Sequence, residues 1–159
     1  MQAPQIPEWG PALWSLLHSL AEATKGGKKE VEEKRLWRQL LLSLRAVIPC
    51  PTCQKHYNDY IKIHSWVSVF ERKGDEWSMG LRLWLWTFHN AVRSEKGQPV
   101  DFDASGLTAA YAVPKASLVP WKRTWTEHMR RGLPLHLLTH DEMMRSLRNL
   151  EELILAVYL

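Results

Sequence analysis

Apolar residues recur along most of the chain at the spacing of one helix face. Leu13, Trp14, Leu16, Leu17, Leu20 and Ala21 follow a period near 3.6, with Pro11 placed for a first helical position and Gly26-Gly27 as the stop. A charged stretch from Lys28 to Arg35 opens a second helix whose apolar face is Leu36, Leu40, Leu44 and Val47. It ends ahead of Pro49, because the residue before a proline is driven out of helical backbone. Pro51 starts a third helix that runs to His64. Lys73-Gly74-Asp75 predicts a turn, and a fourth helix follows from Glu76 to Arg93, with Leu81, Trp84, Leu85, Phe88 and Val92 on one side. Gly97-Gln98-Pro99 closes it. No segment alternates as a strand does. Val100 to Pro120 mixes Gly, Ala, Ser and Pro and reads as a long connection with room for one short helix. Trp121 to Arg131 predicts a short helix, Gly132-Leu133-Pro134 a break, and Asp141 to Val157 an amphipathic helix capped by Asp141 or Thr139. The expected fold class is all-α: a four-helix unit over the first hundred or so residues, then a helical extension.

Composition narrows the function classes. At 159 residues, 45% hydrophobic and 24% charged, the chain has the size and make-up of one globular domain rather than a long multidomain enzyme or a disordered chain. Lys plus Arg is 21 and Asp plus Glu is 17, so 21 − 17 = +4. That modest charge, with acids interspersed, counts against a nucleic-acid partner, even with Arg130, Arg131, Arg145 and Arg148 near the end. Met1 to Trp9 lacks the basic and apolar regions of a signal peptide, and no apolar run is long enough for a membrane span. Nine Trp against three Phe is unusual, since such large flat side chains pack or stack on something.

The only two cysteines form the tetrapeptide Cys50-Pro51-Thr52-Cys53, which excludes a disulfide framework and a four-cysteine zinc site. Cys50 precedes the third helix and Cys53 lies in its first turn, where unpaired N–H groups and the helix dipole favour a thiolate. The i, i+3 spacing brings both sulfurs to one side of a turn, so the pair can close and reopen as a disulfide. Three alternatives compete: two inert buried thiols, a zinc site from Cys50, Cys53, His56 and His64, and a thioredoxin-type site. The zinc set has a His-to-His separation outside the usual range. The thioredoxin type needs a strand where Leu40 to Val47 reads as helix. A cycling dithiol with no second Cys pair must send its electrons to a partner protein or a bound redox cofactor. Trp14 with His18, and Trp86 with His89 and Asn90, form aromatic and imidazole groups on single helix faces that suit a planar organic cofactor, although core packing alone explains such residues as well.

In order, Trp14-Ser15-Leu16-Leu17-His18, Pro49-Cys50-Pro51-Thr52-Cys53 and Trp84-Leu85-Trp86-Thr87-Phe88-His89-Asn90-Ala91-Val92 resemble the motifs of the Erv/ALR family of FAD-dependent sulfhydryl oxidases. The resemblance covers residues 9–103, and the compact form is similar to the family's large-DNA-virus members. It implies a bundle of four helices plus a short one over residues 1–105 holding FAD against the CxxC, with 106–159 as an extension that packs on it or forms a dimer contact. By position it makes Cys53 the flavin-proximal thiolate and Cys50 the thiol that exchanges with substrate. Trp14, His18, Trp84, His89, Asn90 and Val92 match family positions around the cofactor, and His56 and Tyr57 face the same side. No metal is implied.

The chain departs from the family pattern at several places. Arg93 stands where the family has Asn, and Lys96 and Gln98 stand where basic residues approach the FAD phosphates, so Arg93 is expected to supply charge with Lys96. Ala104, after Asp101-Phe102-Asp103, replaces a structural Cys, and no separate shuttle Cys pair is present. Trp121 and Trp125 match a late Trp-x3-Trp that stacks on adenine. The resemblance thus implies transfer of electrons from client protein dithiols, through Cys50 and Cys53, to FAD and then to molecular oxygen, giving hydrogen peroxide. It further implies direct action on partners such as a small CxxC carrier, a homodimer, and a place in host cytoplasm or virion if the source is viral.

Overall fold

A proline or a capping side chain sets up the helices that begin at Ile6, Pro51 and His140, and each of the longer helices buries one face. The computed structural model describes residues 2–100 and 103–159, so Met1 and the Asp101-Phe102 pair of the predicted motif lie outside the described residues. Helix α1 is Ile6–Ala23, beginning before the predicted start, so that Pro7 sits in its first turn and Pro11 lies inside it. The earlier start has two causes. The Gln5 carbonyl accepts from the N–H groups of Glu8 and Trp9, both at 3.0 Å, and Trp9 is buried with its ring 5.7 Å from that of Trp125.

Helix α2 is Glu30–Val47, and a short 3-10 turn, Gly27–Lys29, takes the place of its predicted first residues. The reversal between α1 and α2 is organised by one buried carboxylate. Glu33 accepts from the N–H groups of Lys25 at 3.2 Å and Gly26 at 2.9 Å and from Nε1 of Trp77 at 3.4 Å. Gly26 takes φ 73°, a left-handed backbone open to glycine at little cost. Trp37 Nε1 donates to Thr24 Oγ1 at 2.9 Å, which in turn donates to the Leu20 carbonyl at 2.8 Å. Buried polar groups in this corner are thereby paired.

Helix α3 is Pro51–Ile63, α4 is Val67–Phe70 and α5 is Asp75–Glu95. The four residues of α4 are too few for any periodic signal, and they are held by the burial of Val69 and Phe70, the latter ring 4.8 Å from that of Trp77. The predicted connection after residue 100 contains α6, Leu107–Tyr111, flanked by 3-10 turns at Ala104–Gly106 and Lys115–Ser117. Helix α7, Leu118–Gly132, and α8, His140–Val157, complete the chain. Among the described residues there is no strand, and no helix is long and apolar enough to cross a membrane.

Helix α7 runs against α1 and α8 against α2, so the last third closes over the faces of the first two helices. Leu118, Trp125, Met129, Leu138, Met143, Leu150 and Leu153 belong to the same buried cluster as Leu16, Leu20, Leu36, Leu40 and Leu44. Each leucine-sized side chain withdrawn from water in this way contributes about 1.5–3 kcal/mol.

Candidate redox site

The two cysteines are placed by the way α2 gives over to α3. After Val47 the chain becomes extended, Pro49 is buried, and Cys50 takes the N-cap position of α3 with φ −163°. Pro51 fills the first helical position, where its missing N–H costs nothing. The Cys53 N–H donates to Cys50 Sγ at 3.2 Å, and the Gln54 N–H to the Cys50 carbonyl at 2.9 Å. Cys50 and Cys53 are joined as a disulfide, with Cα atoms 5.2 Å apart. Both are half-buried, while Pro51 and Thr52 beside them are exposed. The couple is therefore partly exposed at the start of α3 and also borders the interior of the bundle.

On the inner side lies a cavity of about 400 Å3, walled by Cys50 and Cys53, by Trp9, Leu13 and Leu17 of α1, by Leu44 of α2, by Tyr57 of α3 and by Phe88 of α5. Its lining is mostly apolar. A second cavity of about 650 Å3 shares Ile6, Gly10, Trp14, Val92 and Lys96 with the first and adds His89, Arg93, Gln98 and Tyr111. The first chamber is thus mostly apolar, and the second adds Arg93 to the Lys96 that lines both. Both volumes fall in the range of small-molecule and cofactor sites. Gly10 lines both chambers, so a side chain there would project into that space.

Trp14 is the partition. Its ring stacks on His89 at 4.2 Å with 7° between planes and meets Phe88 edge-on at 5.3 Å. Behind it His18, buried, places Nε2 3.0 Å from Nδ1 of His89, so the two rings share one hydrogen between facing nitrogens. Burial lowers the His18 pKa to about 3, with the His89 ring adding to the effect. Tyr57 donates its hydroxyl to the Leu41 carbonyl at 2.5 Å, and burial pushes its pKa upward, so it stays a neutral donor. At the rim, His56 Nε2 sits 2.6 Å from Glu95 Oε2, and both residues line the first chamber.

The structure gathers Cys50, Cys53, Trp14, Tyr57, His89, Val92, Arg93 and Lys96 around these two chambers, with His56. It places five other expected residues off the chamber walls, each for a visible reason. His18 is a layer behind Trp14, held by His89 and stacked on Tyr111 at 4.6 Å. Trp84 donates Nε1 to the His64 carbonyl at 3.0 Å and so closes the end of α3. Asn90 donates Nδ2 to the Trp86 carbonyl one turn back at 3.1 Å. Trp121 is half-buried against the core, and Trp125 packs on Trp9 rather than facing a chamber. Neither tryptophan of the late pair reaches the space beside His89 in this arrangement.

Sequence reasoning did not single out Trp9, Gly10, Phe88 or Tyr111 as site residues. Gly10 and Trp14 share a face at i, i+4, a signal that was present, whereas Tyr111 sits in a stretch without periodicity and is brought in by tertiary packing alone. The proposed zinc ligands do not assemble. The sulfurs are bonded to each other and His64 ends α3, its ring 4.7 Å from Tyr60. Among the described residues no three His, Cys, Asp or Glu side chains are grouped to hold a metal ion.

The model of the Erv1/Alr family matches residues 11–112, from within α1 through α6. The chain belongs to the Erv1/Alr family. A Frog virus 3 (isolate Goorha) protein named as an FAD-linked sulfhydryl oxidase is 32% identical over 93 residues, which is 57% of this chain and 58% of that protein. An Invertebrate iridescent virus 3 protein of the same description is 28% identical over 106 residues, 67% of each chain. An Oryza sativa subsp. japonica FAD-linked sulfhydryl oxidase is 29% identical over 93 residues, 58% of this chain and 44% of its own. The matched stretches thus span between about half and two thirds of these relatives. No solved structure matches the chain. In Erv1/Alr terms, the match ends at the residue after α6, so α7 and α8 lie outside it.

Proposed function

We propose that this chain is an FAD-linked sulfhydryl oxidase that makes disulfides in client proteins. The observation that carries the proposal is a partly exposed disulfide that forms part of the wall of a mostly apolar chamber. The family match and the names of the relatives favour the same reading.

The residues present fit FAD. The apolar chamber against Cys50 and Cys53 suits a flat ring, Gly10 leaves room, and Arg93 and Lys96 in the adjoining chamber offer positive charge for a diphosphate. Trp14, Tyr57, Val92 and His89 would hold the group. When bound, FAD supplies a two-electron acceptor and a route to molecular oxygen, giving hydrogen peroxide.

The chain's own part is thiol chemistry. A client thiolate attacks Cys50 Sγ, the Cys50–Cys53 bond breaks, and Cys53 leaves as a thiolate in the first turn of α3, where the helix dipole favours negative charge. The client's second thiolate then attacks the client sulfur of the mixed disulfide. The client leaves with its new disulfide, and Cys50 is released as a thiolate with the Cys53 N–H aimed at it. Two electrons have passed from client to the Cys50–Cys53 pair, and Cys53 is the sulfur proposed to pass them inward. Dithiol partners, a small CxxC carrier among them, are the clients of this couple. Residues 1–105 are proposed as the oxidase unit, to which Tyr111 adds a wall of the second chamber, and 106–159 as an extension that packs on it or forms a dimer contact. Action in host cytoplasm or in a virion, and pairing of two copies, belong to the same proposal, with solution mass as the check on pairing.

The test is direct. Purified protein is expected to be yellow with a flavin spectrum and to consume oxygen with a small dithiol such as dithiothreitol, producing peroxide. Cys53→Ser is expected to keep the flavin and lose turnover by several orders of magnitude. A colourless protein, or full turnover in Cys53→Ser, overturns the proposal.

A further inference from the structure

The loop that carries Cys50 is gripped from the side by a part of the chain beyond the family match. Gln54, directly after Cys53, points its side-chain amide at three carbonyls: Ala46 at 3.1 Å, Ile48 at 2.7 Å and Leu137 at 3.2 Å. Its two hydrogens are thus shared among the end of α2, the residue two before Cys50, and the turn between α7 and α8. The Ile48 carbonyl also accepts from the Cys50 N–H at 2.8 Å, so Gln54 and Cys50 hold the same group.

The turn itself is pressed against the loop. At Gly132 a Cβ would stand 3.3 Å from Pro49 Cβ and 2.6 Å from Leu138 Cδ2, closer than real contacts run. Glycine lets the end of α7 reach the proline next to Cys50. The turn is fixed in its own right: the N–H groups of Leu135 and Leu137 both donate to the Gly132 carbonyl, at 3.2 and 3.1 Å, and Leu138 is buried.

We propose that Gln54 and the 132–138 turn are positioning elements of the Cys50–Cys53 couple, holding Cys50 where its sulfur reaches Cys53. This rests on the reading that the couple is the working one, and it adds that the extension sets the couple's redox balance. Closing a disulfide depends on how often the two sulfurs meet; a loop free to wander lowers that frequency and shifts the balance toward the dithiol.

The experiment uses the full chain, equilibrated anaerobically with reduced and oxidised dithiothreitol, then alkylated and weighed. With Cys50 and Cys53 the only cysteines, the mass reports this couple alone. Gln54→Met keeps length and removes the donor. It is expected to shift the dithiol-to-disulfide ratio toward dithiol by about threefold to tenfold, the span of one net hydrogen bond. Gly132→Ala, whose Cβ would meet Leu138 first and Pro49 second, displaces the turn against the loop and is expected to shift the ratio as well. Leu153→Ala, a cavity in buried α8, is expected to lower the melting temperature and leave the ratio unchanged. Unchanged ratios in both Gln54→Met and Gly132→Ala overturn the proposal, as does an equal shift in Leu153→Ala. A protein that shows the shifts but binds no flavin keeps this inference and loses the oxidase; a working flavin oxidase with unshifted variants does the reverse.

Discussion

His18 sits behind Trp14 with 3% of its surface exposed, its Nε2 facing Nδ1 of His89. Burial first, and the neighbouring imidazole second, bring its pKa down to about 3 from 6.5. Below 6.5 the unfolded chain binds a proton at this residue that the folded state refuses. Stability from this residue is therefore lost as pH falls from 6.5 toward 3, by up to about 1.4 kcal/mol for each pH unit, and is flat above that window. Melting temperatures without added flavin, taken from about pH 7 down to pH 4, are expected to fall, and to fall less steeply in His18→Asn. Equal slopes in the two proteins would contradict the assignment. The Trp14–His18 pairing is legible in the spacing of α1. Its bond to a histidine 71 positions away is not, because nothing local in α5 says which neighbour His89 will meet.

At the scale of elements, the caps decide boundaries. Thr139 at the N-cap of α8 accepts from the Glu142 N–H at 3.2 Å, while the Glu142 carboxylate accepts from the Thr139 N–H at 2.9 Å. Thr139→Ala is expected to cost about 1 kcal/mol, a fall of about 2–4 °C in melting temperature for a chain of this size. Calorimetry checks it, and no fall would mean that the packing of α8 against α2 holds the helix start unaided. The Thr139 cap, offered beside Asp141, the Pro51 start of α3 and the end of α2 before Pro49 were all readable, because each depends on residues within a turn; the Glu142 half of the capping box was not read. The true start of α1 was not, since Pro11 is a fitting first-turn residue and the earlier turn is drawn in by Trp9 meeting Trp125, over a hundred positions later. Likewise α4 and α6 take their shape from Phe70, Val69 and Leu107 going into the core, which periodicity over four or five residues does not reveal. The CxxC and, in the chamber lining, Trp14, His89, Val92, Arg93 and Lys96 were visible from the motifs, whereas Trp84, Trp121 and Trp125 matched motif positions and yet pack away from the chambers.

At the scale of the molecule, the first chamber lies among α1, α2, α3 and α5 and the second among α1, α5 and α6, so a ligand filling both adds contacts among five helices that the unfolded chain lacks. Binding only to the folded state raises stability by mass action, about 2.7 kcal/mol at a hundred times Kd. Added FAD is expected to raise the melting temperature, and Trp14→Ala to bind it more weakly and lose most of that rise. A melting temperature indifferent to FAD, or a Trp14→Ala protein that gains as much as the unchanged one, would move the site elsewhere.

Two prolines four apart in α1, Pro7 and Pro11, both border the second chamber. A proline brings no amide hydrogen, so Pro11 leaves the Pro7 oxygen without the helical donor it would otherwise receive. That oxygen belongs to the main chain, and exchanging residue 7 for another leaves it in place. A change at residue 11 that restores the amide closes that rung, and no change at residue 7 does. One wall of the second chamber is thus a helix turn whose ladder is open by one bond, and the residue that sets this lies a turn away from the oxygen concerned.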